Sequence, residues 1–140
     1  MYRHTQLGRL MLALDLVLAL LLGIPGVQRG VVALLVGAGI ALLVAVLFST
    51  LTIEVRDGVL RYYFGPGLWS KRVPLSEIAE ASPSRSRWYD GIGIRITPRG
   101  MLYNVTTGPA VEIRLFSGRR FRLGTDQQAQ LLAALGAPPI

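Results

Sequence analysis

Residues 31–64 read VVALLVGAGIALLVAVLFSTLTIEVRDGVLRYYF, and the rhythm of this stretch changes once, near Thr52. From Val31 to Leu51 there is no charged residue. A helix of that length suffices for a bilayer core about 30 Å thick, which takes about 20 residues. From Thr52 the apolar residues alternate instead. Thr52 to Arg56, an Asp57-Gly58 turn and Val59 to Phe64 form a tight β-hairpin signal. The chain therefore divides into a helical part, residues 1–51, and a β part, residues 52–140.

Upstream, LMLALDLVLALLLGI (10–24) is a second apolar segment, and it reaches spanning length if it runs from about residue 7 to 26. Arg3 and Arg9 precede it as they would a signal peptide, but no small-residue cleavage site follows cleanly and another span comes at once. Only Pro25-Gly-Val-Gln-Arg-Gly30 separates it from the span at 31–51, so the pair is expected to be an antiparallel transmembrane hairpin. Basic residues flank its open end, Arg3 and Arg9 on one side and Arg56 and Arg61 on the other. The positive-inside rule then puts both termini in the cytoplasm of a multi-pass inner-membrane protein. Ala33, Gly37, Ala41 and Ala45 recur every four residues as a ridge of small side chains for close helix packing, and Asp15, Ala19 and Gly23 fall at the same spacing on the first span. Asp15 is the one ionisable group inside a span. It is either a functional residue, as in a small oligomeric channel or transporter component, or a carboxyl satisfied within the helix interface.

Composition agrees with a membrane protein: 140 residues, 51% hydrophobic, 16% charged. The net charge is +7, and of the 15 basic residues all but Lys71 are arginine. Such a balance suits an anionic partner, although arginine-rich coding explains it as well. The absence of cysteine excludes disulfides and thiolate zinc sites, and a lone His4 leaves no material for a histidine metal site or a catalytic triad.

In the β part, Gly65-Pro-Gly67 closes the first ribbon, and Lys71 to Ile78 reads as a strand bending at Pro74. Ser82 to Arg87 reads as a polar loop or edge strand, with further strands at 91–97, 101–105, 110–116 and 119–123. Thr125-Asp-Gln-Gln128 matches a capping box for a helix of about 125–135 that turns Leu131, Leu132 and Leu135 toward the sheet. The whole describes an α+β membrane protein, a two-helix hairpin followed by a small antiparallel barrel closed by one C-terminal helix.

Four segments carry a family likeness: TIEVRDGVLRYYFGPG (52–67), RVPLSEI (72–78), GIGIRITPRGMLYNV (91–105) and GRRFRLGTDQQAQLLAAL (118–135). In these the chain resembles the bacterial membrane proteins in which two membrane helices precede a pleckstrin-homology-like (PH-like) domain. The resemblance implies a PH-like barrel on the cytoplasmic side and a binding or scaffolding role, with a protein partner or homo-oligomer. It supplies no catalytic residues, cofactor or metal. Phosphoinositide-binding relatives set several bases around the loop between their first two strands, whereas here that loop is the tight Asp57-Gly58.

The candidate contacts are basic. Lys71 and Arg72 lie beside Leu68-Trp69, and Arg85 and Arg87 beside Trp88-Tyr89, the pairing of base and aromatic expected at lipid headgroups or, equally, at the edge of a barrel core. Arg95 and Arg99 border the glycine-bearing strand GIGIRIT. That Gly-x-Gly lacks the third glycine of a dinucleotide fingerprint and no helix follows it, so it reads as a bent strand. The basic residues are scattered and match no nucleic-acid motif, which leaves no case for DNA or RNA as a partner. No acid–base pair or activated nucleophile appears, so no small-molecule substrate is implied and the chain is not expected to be an enzyme.

Overall fold

A computed structural model describes residues 2–98 and 100–136. It is an α+β structure with two N-terminal helices, two β-sheets and one C-terminal helix. Strand β1 (Tyr2–Leu7) leads into helix α1 (Arg9–Arg29), and helix α2 (Val32–Phe48) returns to strand β2 (Thr50–Arg56). There follow β3 (Val59–Phe64), β4 (Trp69–Pro74), β5 (Ile78–Ser86), β6 (Gly93–Thr97), β7 (Gly100–Asn104), β8 (Gly108–Leu115), β9 (Arg120–Gly124) and α3 (Gln128–Ala134).

The strand β1 is a departure from the sequence reading, which starts the β part at residue 52. Tyr2 to Leu7 pair antiparallel with Val55 to Thr50, so the two helices are inserted between neighbouring strands of one sheet. Gly8 N donates to Ser49 O at 2.7 Å and closes the base of that insertion. No side chain fits there, because a Cβ on Gly8 would lie 2.5 Å from Val105 O. The β-hairpin at Asp57-Gly58 forms as expected, both residues taking positive φ (52° and 73°), as a tight primed turn requires.

The helix boundaries also move. α1 continues through Pro25 and stops at Gly30, whose φ of 65° makes a left-handed cap with its N–H on Gly26 O. With 21 residues, α1 is long and apolar enough to cross a membrane. The second apolar run does not stay helical to Leu51: α2 ends at Phe48 after 17 residues, and Thr50 and Leu51 already belong to β2. Leucine and isoleucine cannot tell a helix end from a buried strand start by polarity alone.

The β part is two open sheets and not a closed barrel. One sheet has the order β1-β2-β3-β4 and the other β5-β8-β9-β7-β6, with every pairing antiparallel except the parallel pair β7 and β9. Alternating residues of both sheets share one core: Leu51, Ile53, Val55, Leu60, Tyr62 and Phe64 meet Tyr103, Val111, Ile113, Phe121 and Leu123. Leu131 and Leu132 of α3 complete it. That helix is shorter than the expected 125–135. Thr125 Oγ1 accepts from Gln127 N at 3.0 Å, whereas Gln128 does not reach back to it. Its amide instead donates to Ser84 O and Ala110 O, at 2.9 and 2.6 Å.

Candidate partner-binding site

β4 is an edge strand, and its pleat turns Trp69, Lys71 and Val73 toward the other sheet and Arg72 away from it, with Lys71 and Arg72 both exposed. Facing it across the gap between the sheets are β6 and β7. Between them lies a cleft of about 570 Å³. Tyr62, Val73, Met101, Tyr103, Leu115 and Phe121 line its apolar part, and Lys71, Arg72, Arg119 and Arg120 its rim, with Glu77 as the one acid.

The floor is an aromatic cluster. Tyr62 lies 5.1 Å from Tyr103 and 5.6 Å from Phe121 between ring centroids, and Trp69 lies 5.2 Å from Tyr103. Burial pushes the Tyr62 phenol well above its ordinary range, and the neighbouring Tyr103 adds to the shift. Lys71 Nζ donates to Tyr103 Oη at 3.4 Å and lies 5.8 Å from that ring's centre, so its ammonium tips inward over the floor.

Register fixes how far this cleft stands from the helices. Trp69 is level with Leu51 at the helix end, whereas Lys71 is level with Ile53 and Val73 with Val55. At about 3.3 Å per residue, Lys71 lies about 10 Å and Val73 about 17 Å along the strand from Thr50. The turn beside Trp69 stays at the helix base: a Cβ on Gly65 would lie 2.5 Å from Leu47 O, and Leu68 next to it is 82% exposed.

The bases named from sequence separate into two groups. Lys71 and Arg72 join the cleft; Arg85, Arg87 and Arg95 gather around residues 87–92, the connection from β5 to β6. There Asp90 Oδ2 accepts from Arg87 N at 2.8 Å and faces Arg122 Nη1 at 3.6 Å. Arg122 is fully buried, donating to Arg85 O and Thr97 Oγ1 at 3.0 and 3.2 Å. Arg87 lies over the Tyr89 ring at 5.9 Å, Arg95 Nε donates to Ile92 O, and Trp88 is 83% exposed. Arg99 lies outside the described residues.

The Gly-x-Gly of GIGIRIT is explained by this loop. Gly91 and Gly93 have φ of 85° and 103°. Asn104 pins both, donating to Gly91 O at 3.3 Å and accepting from Gly93 N at 3.0 Å. The glycines bend the chain onto the sheet.

Among the expected helix contacts, Gly37, Ala41 and Ala45 face α1, but Ala33 is exposed and Ala38 takes its place, its Cβ 3.6 Å from where a Cβ on Gly23 would stand. A four-residue spacing drifts around a 3.6-residue helix, so the ridge leaves the interface at its N-terminal end. Asp15 is half-buried on the facing side, and its Oδ2 is buried with no hydrogen-bond partner among the described residues.

Reasoning from sequence missed Arg119, Arg120, Arg122 and Asn104. The first two were visible only as Gly118-Arg-Arg at a hairpin turn, and the last two as ordinary strand residues. Among the described residues no three His, Cys, Asp or Glu side chains are placed to hold a metal. Compared with protein-family models, curated proteins and solved structures, the chain matches none.

Proposed function

We propose that this protein is a membrane-anchored PH-like module that binds or scaffolds a protein partner at the cytoplasmic face, with anionic lipid steadying the domain. The observation that carries the reading is the insertion of two apolar helices between paired strands β1 and β2. Leu10, Leu14, Leu21, Val27, Val36, Ile40 and Val46 are all exposed on these helices, on outward faces that suit a hydrocarbon phase. Two sheets with a C-terminal helix packed on their shared core agree with a PH-like arrangement, and the base of the helices carries the exposed Leu68. A domain with net charge +5 over residues 52–140 gains about 1 kcal/mol for each base brought near an anionic leaflet.

The natural chain has no cysteine, so single substitutions report cleanly on topology. Gln28→Cys, at the helix turn, and Ser117→Cys, in the β part, should label with a membrane-impermeant maleimide from opposite sides. Labelling of both from one side overturns the anchor. Photocrosslinking from the β part in native membranes should then recover a second protein.

A second reading, a small oligomeric channel or transporter component, is favoured by the unpartnered Oδ2 of Asp15. It requires solute or ion flux in proteoliposomes that Asp15→Asn abolishes without loss of assembly; absence of flux in the natural protein removes it.

A further inference from the structure

The cleft between β4 and β6 combines three properties. It lies between the free edges of two sheets, its floor is aromatic, and its rim carries Lys71, Arg72, Arg119 and Arg120 against Glu77 alone. A lysine on an edge strand is by itself a common guard against unwanted pairing. A guard does not need three arginines around a cleft floored by buried aromatics, nor an Ile96 that is 87% exposed on the opposite edge. The cleft also stands on the half of the β part away from the helix base, about 10–17 Å along the strands from Thr50.

We propose that the cleft takes an extended acidic segment of a partner protein, which adds to the edge of β4 as a further strand. Its backbone would pair with the outward N–H and C=O groups of Trp69 to Val73, giving affinity without sequence demands. Side chains alternate across such a strand. One set would rest its apolar groups on Ile96 and Met101, above the buried Tyr62 and Tyr103, and carboxylates of the segment would meet Lys71, Arg72, Arg119 and Arg120. This rests on the reading of the protein as a partner-binding module and names the chemistry of the partner.

The test uses the full chain in phosphatidylcholine nanodiscs and a fluorescein-labelled peptide alternating glutamate and valine over seven residues. Binding should weaken about tenfold or more when both cations are reversed in Arg72→Glu/Arg119→Glu, two exposed positions whose change leaves the circular dichroism intact. Amides of residues 69–74 should exchange more slowly with peptide bound. Equal affinity for the charge-reversed variant, no protection in β4, or equal binding of a seven-residue polyglutamate each overturns the proposal, the last because charge alone would suffice. Displacement of the peptide by phosphatidylglycerol in the nanodisc overturns it in favour of a lipid headgroup. A photocrosslinker at Lys71 in native membranes separates the two levels: protein adducts from other β positions but none from this one overturn the cleft as the site, and no protein adduct from any β position overturns partner binding itself.

Discussion

The two sheets meet along two seams, and the seams are built differently. Along one, β1 and β5 are bridged by α3 and the segment before it: Tyr2 Oη donates to Gln127 Oε1 at 3.0 Å, His4 meets Asp126 at 2.6 Å, and Gln128 caps carbonyls of β5 and β8. Leu131 and Leu132 fill the space behind them. Along the other, no described element covers β4 and β6, and cations line the gap. Apolar residues with satisfied backbone partners close the first seam; exposed cations over a buried aromatic floor rim the second.

The largest expected effect is on the closed seam. Leu131→Ala should cost about 2–5 kcal/mol, because Leu131 is fully buried and the rigid sheets cannot collapse into the void. Urea unfolding in detergent, followed by tryptophan fluorescence, measures it; a cost under about 1 kcal/mol would mean that α3 is a dispensable cover.

Next comes the connection that joins the two seams, residues 87–92. Asp90→Ala leaves Arg122 buried beside a vanished carboxylate and should cost about 2 kcal/mol or more. The double change Asp90→Ala/Arg122→Met should recover part of that loss, since a methionine needs no counter-charge. Additive losses in the same unfolding assay would show that the pair is not coupled.

A pH effect follows from the open seam's floor. Tyr62 holds its proton in the fold above its ordinary value of 10.0. In the unfolded chain it ionises at about the ordinary value, so above that pH the unfolded state binds fewer protons and stability falls. The fold is therefore at full strength below about pH 10 and weakens as pH rises toward the elevated folded value. Tyr62→Phe should flatten this alkaline loss in unfolding curves taken across that range; an unchanged slope would assign it to other groups, such as Tyr2, whose phenol burial also pushes up.

Smallest is the effect of the rim on folding. Arg72→Ala or Arg119→Ala should move stability by no more than about 0.5 kcal/mol, since both side chains are exposed. A larger loss would make the rim part of the framework and erase the contrast between the seams.

Much of the closed seam and the hairpin was legible. Thr52 to Phe64 alternates cleanly around Asp57-Gly58, and Leu131 and Leu132 sit on the expected face of a short helix. β1 was not. Its half-buried residues, Tyr2, His4 and Gln6, include no aliphatic side chain, and its partner lies beyond both helices. The open seam was half legible. Lys71 and Arg72 announced themselves beside Trp69, but Arg119 and Arg120 reach the cleft only because β9 runs parallel beside β7, a pairing that no local pattern encodes. Arg122 misled in the opposite sense, because a charged residue on an outward pleat reads as solvated until a loop folds over it.

The placement of α1 and α2 between β1 and β2 has a consequence for biogenesis. Tyr2 can meet Val55 only after everything between them has been made and, under the proposed membrane anchoring, only if the chain crosses the bilayer an even number of times. A chain that crosses once leaves β1 stranded on the far side, strips the first sheet of an edge strand, and deprives α3 of its partners at Tyr2 and His4. Under that proposal, completion of the β part reports on correct insertion. A variant with two arginines introduced into α2, at Val36 and Ile40, should fail to insert that helix and yield a β part cut rapidly by protease; unchanged resistance would show that the sheet assembles without regard to its anchor.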